Sequence, residues 1–226
     1  MNRHIATMAL VWVGIAACAL AQDPDDLLTF EEAHEGFVPL FNGMDLSGWW
    51  IRGEQGGFVA EGGSLVTLGE PGGDYIFADR EYANFVFRYQ YKVQTTGEGN
   101  SGVAIRTPKA GDPAFQGMEI QVIRPNWEVP YQRSGALYSV VPPQVAADKP
   151  AGEWNDVEIL CDGTRIRTTM NGQVLYDIKT TDYPVTKDWQ KKLTDRPMKG
   201  YIGFQNHGNR VEFRMIRLKE LPGQEN

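Results

Sequence analysis

The stretch Phe85-Val86-Phe87-Arg88-Tyr89-Gln90-Tyr91-Lys92-Val93 decides the fold. Phe85, Phe87, Tyr89, Tyr91 and Val93 alternate with Val86, Arg88, Gln90 and Lys92, the period of a strand that buries one face. The same period recurs along the chain. It predicts further strands over Phe58–Glu61, Ser64–Thr67, Asp74–Phe77, Gly102–Arg106, Met118–Ile123, Ala136–Val140, Asn155–Cys161, Arg165–Met170, Gln173–Asp177, Gly200–Asn206 and Arg210–Leu218. Asp162-Gly163 and Asn171-Gly172 supply the positive backbone angles of tight hairpins, so Asn155–Asp177 reads as a three-stranded meander. His207-Gly208-Asn209 reads as the turn of a closing hairpin. The one helix signal comes early: Thr29 and Glu32 have capping-box spacing, which predicts a short helix from Phe30 to about Glu35. Many short strands with 25 Gly and 13 Pro imply an all-β sandwich of two antiparallel sheets. Two long loops, Thr107–Gln116 and Pro142–Glu153, are placed to shape a site. A third irregular stretch, Asp182–Pro197, is expected to hold a short helix around Asp188–Leu193.

Three of these strands carry unusual outward faces. Val103 and Ile105 alternate with Gly102, Ala104 and Arg106; Met118, Ile120 and Val122 with Glu119 and Gln121; Ile202 and Phe204 with Gly203, Gln205 and His207. A solvated face would carry Lys, Thr, Ser and Glu. Here reactive polar groups are spaced by Gly and Ala that leave room for a ligand, which reads as a binding floor.

The N-terminus has Arg3 and His4, an apolar stretch from about Met8 to Leu20, and Ala19-Leu20-Ala21 before Gln22. This is the pattern of a secretory signal over residues 1–21, too short for a membrane span. Ile15-Ala16-Ala17-Cys18 offers a second reading, a lipoprotein box with a lipid anchor at Cys18. Both predict export, to the periplasm or beyond. Without residues 1–21 the chain carries 29 acidic against 21 basic residues, a net charge of −8, which argues against nucleic acid and anionic lipid. Cys161 is then alone, expected as a buried thiol, so a disulfide framework is excluded. Residues 22–36 read as a leader and short helix, and residues 37–221 as one folded domain. Oligomeric state is not readable.

Residues through the whole of that domain resemble one family. Phe37-Val38-Pro39-Leu40-Phe41-Asn42-Gly43-Met44-Asp45-Leu46-Ser47-Gly48-Trp49 is similar to the opening of the 3-keto-disaccharide hydrolase domain, also known as DUF1080. The resemblance continues through Asn100-Ser101-Gly102-Val103 with Arg106, Gly117-Met118-Glu119-Ile120-Gln121 and Gly135-Ala136-Leu137-Tyr138. It resumes at Gly152-Glu153-Trp154-Asn155, Asn171-Gly172 and Gly200–Gly208, and ends at Val211–Arg217. It implies a concanavalin-like jelly roll with a sugar on one outer sheet. This chain departs from the pattern in having Arg124-Pro125 where an acidic residue often follows the Glu-x-Gln strand. It also has Met215 where Asn is usual.

The resemblance implies a small carbohydrate substrate, a 3-keto-glycoside. A C3 ketone acidifies the C2 hydrogen, a base removes it, and the enolate expels the C1 substituent; water adds afterwards. The expected roles are Glu119 or His207 as base and Arg106, with Gln205, at the C3 oxygen. Gln121, Gln205, Asn100, Tyr138 and Trp127 are expected to bind the sugar. The residues name no cofactor, and a divalent metal with Glu119 as a ligand is an alternative way to stabilise the enolate. A two-carboxylate glycosidase is disfavoured, since no second acid shares a strand with Glu119. The competing reading is a non-catalytic carbohydrate-binding module, because the same architecture serves both.

Overall fold

The computed structural model describes residues 27–69, 72–94, 96–97, 99–183 and 192–223. The signal segment, Cys18, most of the leader and most of the expected Asp188–Leu193 helix lie outside them. The elements in chain order are α1 (Phe30–Glu35), β1 (Val38–Pro39), β2 (Trp49–Arg52), β3 (Phe58–Glu61), β4 (Ser64–Leu68), β5 (Tyr75–Tyr82), β6 (Phe85–Val93) and β7 (Ser101–Thr107). They continue with α2 (Pro113–Gln116), β8 (Met118–Val122), β9 (Asn155–Asp162), β10 (Arg165–Met170), β11 (Gln173–Lys179), β12 (Gly200–Gln205) and β13 (Arg210–Glu220).

Among the described residues these strands form two antiparallel sheets, the sandwich that the alternation implied. The larger runs β11-β10-β9-β6-β13-β4-β3, with β1 paired to β13; the smaller runs β2-β5-β12-β7-β8. The Phe85–Val93 stretch lies near the middle of the larger sheet and buries every second side chain. Its Phe87 and Tyr89 meet Phe204 of the smaller sheet, and Phe204 packs on Phe213 with ring centroids 4.3 Å apart. Truncating a fully buried phenylalanine such as Phe204 costs about 3–5 kcal/mol. Cys161 is buried in this layer and its thiol is pushed up to about 12 by burial, which leaves it unreactive.

Helix α1 forms as its capping box required, with Thr29 Oγ1 accepting from the Glu32 amide at 3.2 Å. Its Glu32 carboxylate takes Arg88 Nη1 at 3.1 Å and Arg217 Nε at 2.8 Å, which ties the helix to the outer face of the larger sheet.

Two expectations are corrected, and one strand is added. Ala136–Val140 is no strand: Leu137 makes only isolated bridges to Ile120 and Val141, because Gly135 (φ 82°) and Ser139 (φ 61°) turn the chain on either side. His207-Gly208-Asn209 does turn the chain, but β12 and β13 belong to different sheets, so it is a corner between layers. Strand β2 was not anticipated. Its Trp49-Trp50-Ile51-Arg52 is half-buried on both faces and shows no alternation.

Candidate active site

The site grows from the pairing of β7 with β8. Ala104 stands opposite Glu119 and Gly102 opposite Gln121. Met118, Ile120 and Val122 enter the core, so Glu119 and Gln121 face the other way. That face is not open to water. A strap, residues 108–117, crosses it, and Glu119 and Gln121 are each only 3% exposed. Within the strap, Asp112 caps α2 by accepting from the Ala114 amide at 3.0 Å. Two arginines pin it from outside: Arg52 Nη1 donates to Gly111 O at 2.6 Å, and Arg196 Nη1 donates to Ala114 O and Gly117 O at 3.1 and 2.9 Å. Arg52 is itself held by both oxygens of Asp74.

Gly102 has a different purpose from the one its small size suggested. A Cβ there would lie 2.7 Å from Glu119 Cγ, so the space it leaves is filled by the Glu119 side chain, not by a ligand. Gly203 likewise makes room for the Phe77 ring.

Above this floor lies a cavity of about 330 Å³. Asn100, Glu119, Gln121, Trp127, Tyr138, Gln205 and His207 all line it, together with Asp112, Phe115 and Gln132. Two hydrogen-bond chains run beneath it. Gln205 Nε2 donates to the Tyr75 hydroxyl at 2.9 Å, and Tyr75 donates to Glu119 Oε2. Gln121 Nε2 donates to Asn100 Oδ1 at 2.9 Å, and Asn100 Nδ2 lies 3.1 Å from His207 Nδ1. An amide nitrogen can only donate, so His207 Nδ1 accepts and the neutral ring carries its proton on Nε2.

Burial raises the Glu119 carboxyl to about 7; the Tyr75 hydroxyl opposes the rise and the charge of Asp112 adds to it. Burial likewise raises the Tyr75 and Tyr138 phenols, with Glu119 contributing in each case. Glu119 is therefore a carboxyl that can take up or release a proton near neutrality.

Arg106 does not reach this cavity. It is fully buried, with Nε donating to Ala83 O at 2.8 Å, Nη1 to Gly163 O at 2.7 Å and Nη2 to Asn84 Oδ1 at 3.2 Å. The cause is a bulge. Between Ala104 and Thr107 the register with β12 shifts, and Arg106 takes a left-handed conformation (φ 48°) that breaks the alternation. Its fork of donors locks the β5–β6 and β9–β10 turns, in place of the C3-oxygen role expected from its parity. Nor is it paired with Glu119.

Tyr75 and Asp112 escaped the reading of the sequence. Asp112-Pro113 is a helix-start signal that could have revealed the turn of α2, and Tyr75 shares the parity of Phe77. Asp112 brings a second carboxylate to the cavity from a loop, where a search along one strand could not find it. Among the described residues no three His, Cys, Asp or Glu side chains cluster as a metal site requires, and Glu119, Asp112 and His207 come from separate elements.

The geometry can be set beside known proteins. A crystal structure of a proposed glycosyl hydrolase from Parabacteroides distasonis is similar, with a TM-score of 0.73 and 28% identity over 86% of this chain and 98% of that one. The carbohydrate binding module CBM66 from Bacillus subtilis shares the fold, with a TM-score of 0.54 and 12% identity over 77% of this chain and 97% of that one. A Bacteroides thetaiotaomicron protein named 3-keto-disaccharide hydrolase is 27% identical over 233 residues, 83% of this chain and 79% of that protein. Residues 36–219 match the model of the 3-keto-alpha-glucoside-1,2-lyase-like domain, and the chain belongs to that family.

Proposed function

We propose that this protein cleaves the C1 bond of 3-keto-glucosides by removing the C2 proton, with Glu119 as the base. The observation that carries the reading is Glu119 itself: a buried carboxyl raised to about 7, on the floor of a cavity that suits one sugar ring. Its ionised form takes the C2 proton, and the Tyr75 hydroxyl holds it in place while that happens. Electrons move into the C3 carbonyl to give the enolate, then return to expel the C1 oxygen, which leaves as the alcohol by taking from Glu119 the proton removed from C2. Among the described residues lining the cavity there is no lysine or arginine, so the C3 oxygen is met by a neutral donor, the His207 ring. Its Nε2 proton serves that purpose, with Asn100 fixing the ring from the other nitrogen. Gln121, Gln205, Gln132 and Tyr138 provide polar partners for the sugar hydroxyls. Water adding across the C1–C2 double bond then gives the free keto sugar.

Turnover of a 3-keto-glucoside with a chromophoric leaving group tests this reading. Release of the chromophore by the wild type, and its loss in Glu119→Gln, is expected. Sugar binding without any release would make the protein a carbohydrate-binding module. Repeating the assay with a chelator asks whether a divalent ion shares the charge of the C3 oxygen. We also propose that the protein is exported, either by cleavage after Ala21 or as a lipoprotein at Cys18. N-terminal sequencing and the mass of the mature chain separate the two. Among the described residues no helix is long and apolar enough to cross a membrane.

A further inference from the structure

His207 stands at one end of a hydrogen-bond chain whose direction is set at the other end. Gln121 Nε2 lies 3.3 Å from Val122 O and 2.9 Å from Asn100 Oδ1. A backbone carbonyl can only accept, so the Gln121 amide must turn its nitrogen, not its oxygen, toward Val122. Turned over, it would set two acceptors against each other at a residue only 3% exposed. The second hydrogen on Nε2 therefore goes to Asn100 Oδ1. That choice leaves Asn100 Nδ2 facing His207, 3.1 Å from Nδ1. Nδ1 must accept, and the proton of the neutral ring is left on Nε2.

The backbone around the chain is fastened separately. The Asn100 amide N–H donates to Asn209 Oδ1 at 2.8 Å, and Asn209 Nδ2 donates to Gly208 O at 2.7 Å. This ties the start of β7 to the corner that carries His207. One residue further on, Ser101 Oγ donates to Gln205 O at 2.7 Å, on the strand that leads into the same corner. Gln121 itself is fixed opposite Gly102 by the pairing of β8 with β7. Asn100 and His207 thus keep their places without their mutual contact. What Gln121 adds is the direction in which the donors point. Both hydrogens of its amide are committed inside the protein, so only Oε1 is left for a ligand.

We propose that Gln121 is a positioning residue: through Asn100 it selects the His207 tautomer that presents an N–H to the cavity. The proposal rests on the 3-keto-glucoside reading for what that N–H meets, the C3 oxygen. A ring with its proton on Nδ1 would turn a lone pair toward an oxygen on which negative charge develops, and would repel it. The second chain beneath the cavity runs from Gln205 through Tyr75 and ends on an acceptor, Glu119. One glutamine therefore stands behind the group that takes a proton, and the other behind the group that offers a hydrogen bond.

The test reverses the chain. Gln121→Glu and Asn100→Asp each replace a donor by an acceptor of nearly the same shape. In the first, the Asn100 amide turns to donate to the new carboxylate and offers its oxygen to the ring; in the second, the new carboxylate accepts from the ring directly. Nitrogen-15 NMR separates a protonated imidazole nitrogen from a bare one, and is recorded at about pH 9, where the introduced carboxyls are ionised. The chain has 3 histidines, so the His207 signals are those missing from His207→Gln. A proton on Nε2 in the wild type, and one on Nδ1 in the variants, is expected. A wild-type ring protonated on Nδ1, or Nδ1 left bare in Gln121→Glu, overturns the proposal. Should Gln121→Glu not fold, a bare Nδ1 in Asn100→Asp overturns it equally. On a 3-keto-glucoside, kcat of Gln121→Glu should fall by about 10²–10³ with KM little changed, the effect of one lost oxyanion donor. A raised KM with unchanged kcat would make Gln121 a direct sugar contact and overturn the proposal. If the wild type cleaves no keto-glucoside, the proposed reaction fails, and the nitrogen shifts alone decide the chain.

Discussion

The Tyr75 hydroxyl donates to Glu119 Oε2 from behind the cavity while Gln205 Nε2 donates to Tyr75. Tyr75 therefore sees the carboxylate and not the sugar. A hydrogen bond to the charged form lowers a carboxyl pKa, so Tyr75 offsets part of the rise that burial imposes.

Tyr75→Phe removes that donor. The ascending limb of kcat/KM against pH, which for the wild type is expected to turn near 7, should move to higher pH. At neutral pH kcat/KM should fall roughly tenfold. A pH profile of the two proteins checks both. A reduced rate with an unmoved limb would assign Tyr75 to packing alone.

Glu119 also makes stability depend on pH. Its folded value, about 7, lies above the ordinary 4.5, so the fold favours the protonated form. The contribution is fully present below about pH 4.5 and is lost as pH rises through 7, at a cost of about 3 kcal/mol. Glu119→Gln keeps an acceptor for Tyr75 and removes the titration. It should be more stable than wild type at pH 8 by up to about 3 kcal/mol and nearly equal at pH 4.5, while activity falls by about 10²–10⁴. Denaturant titrations at the two pH values read the difference.

Arg106→Ala should unfold more readily, by about 2–4 kcal/mol, because Ala83 O, Gly163 O and Asn84 Oδ1 lose a buried partner together. Below its unfolding transition the variant should keep kcat/KM close to the wild type. A specific loss of kcat with an unchanged Tm would restore Arg106 to the chemistry.

Gly102→Ala adds a single methyl where Glu119 Cγ would lie 2.7 Å away. The carboxyl must move, so turnover should drop by an order of magnitude or more with a modest loss of stability. Full activity would show that Glu119 need not occupy this position.

Met215 sits at φ 50°, beside the register shift between Arg214 and Arg217. Asparagine tolerates that conformation better than methionine. Met215→Asn is expected to raise stability by roughly 0.5–1 kcal/mol, read from its denaturation midpoint.

Residues with a strict period were legible in the chain. Phe85–Val93 and Arg165–Met170 form strands with the expected bounds, and the alternation of Met118–Ile123 sends Glu119 and Gln121 to the face away from the core. What escaped depended on breaks in the period. Arg106 has outward parity in its strand, and only the bulge opposite β12 turns it away. Trp49–Arg52 is half-buried on both faces and left no pattern. The burial of Glu119, and with it the raised carboxyl, comes from a strap whose path over the sheet has no counterpart in local sequence. Asp112 reaches the site on a loop for the same reason, whereas Trp127, also on a loop, was among the expected contacts and does line the cavity.

The pinned strap and the Trp127 loop have a consequence for how this protein can change. The groups proposed to handle the proton are anchored in paired strands, whereas the walls on either side are loop segments fastened by a few side chains such as Arg52 and Arg133. Mutation of those walls can alter which glycosides are admitted while the register that aims Glu119 stays intact. Drift in substrate range and preservation of chemistry can therefore proceed on separate parts of one small domain.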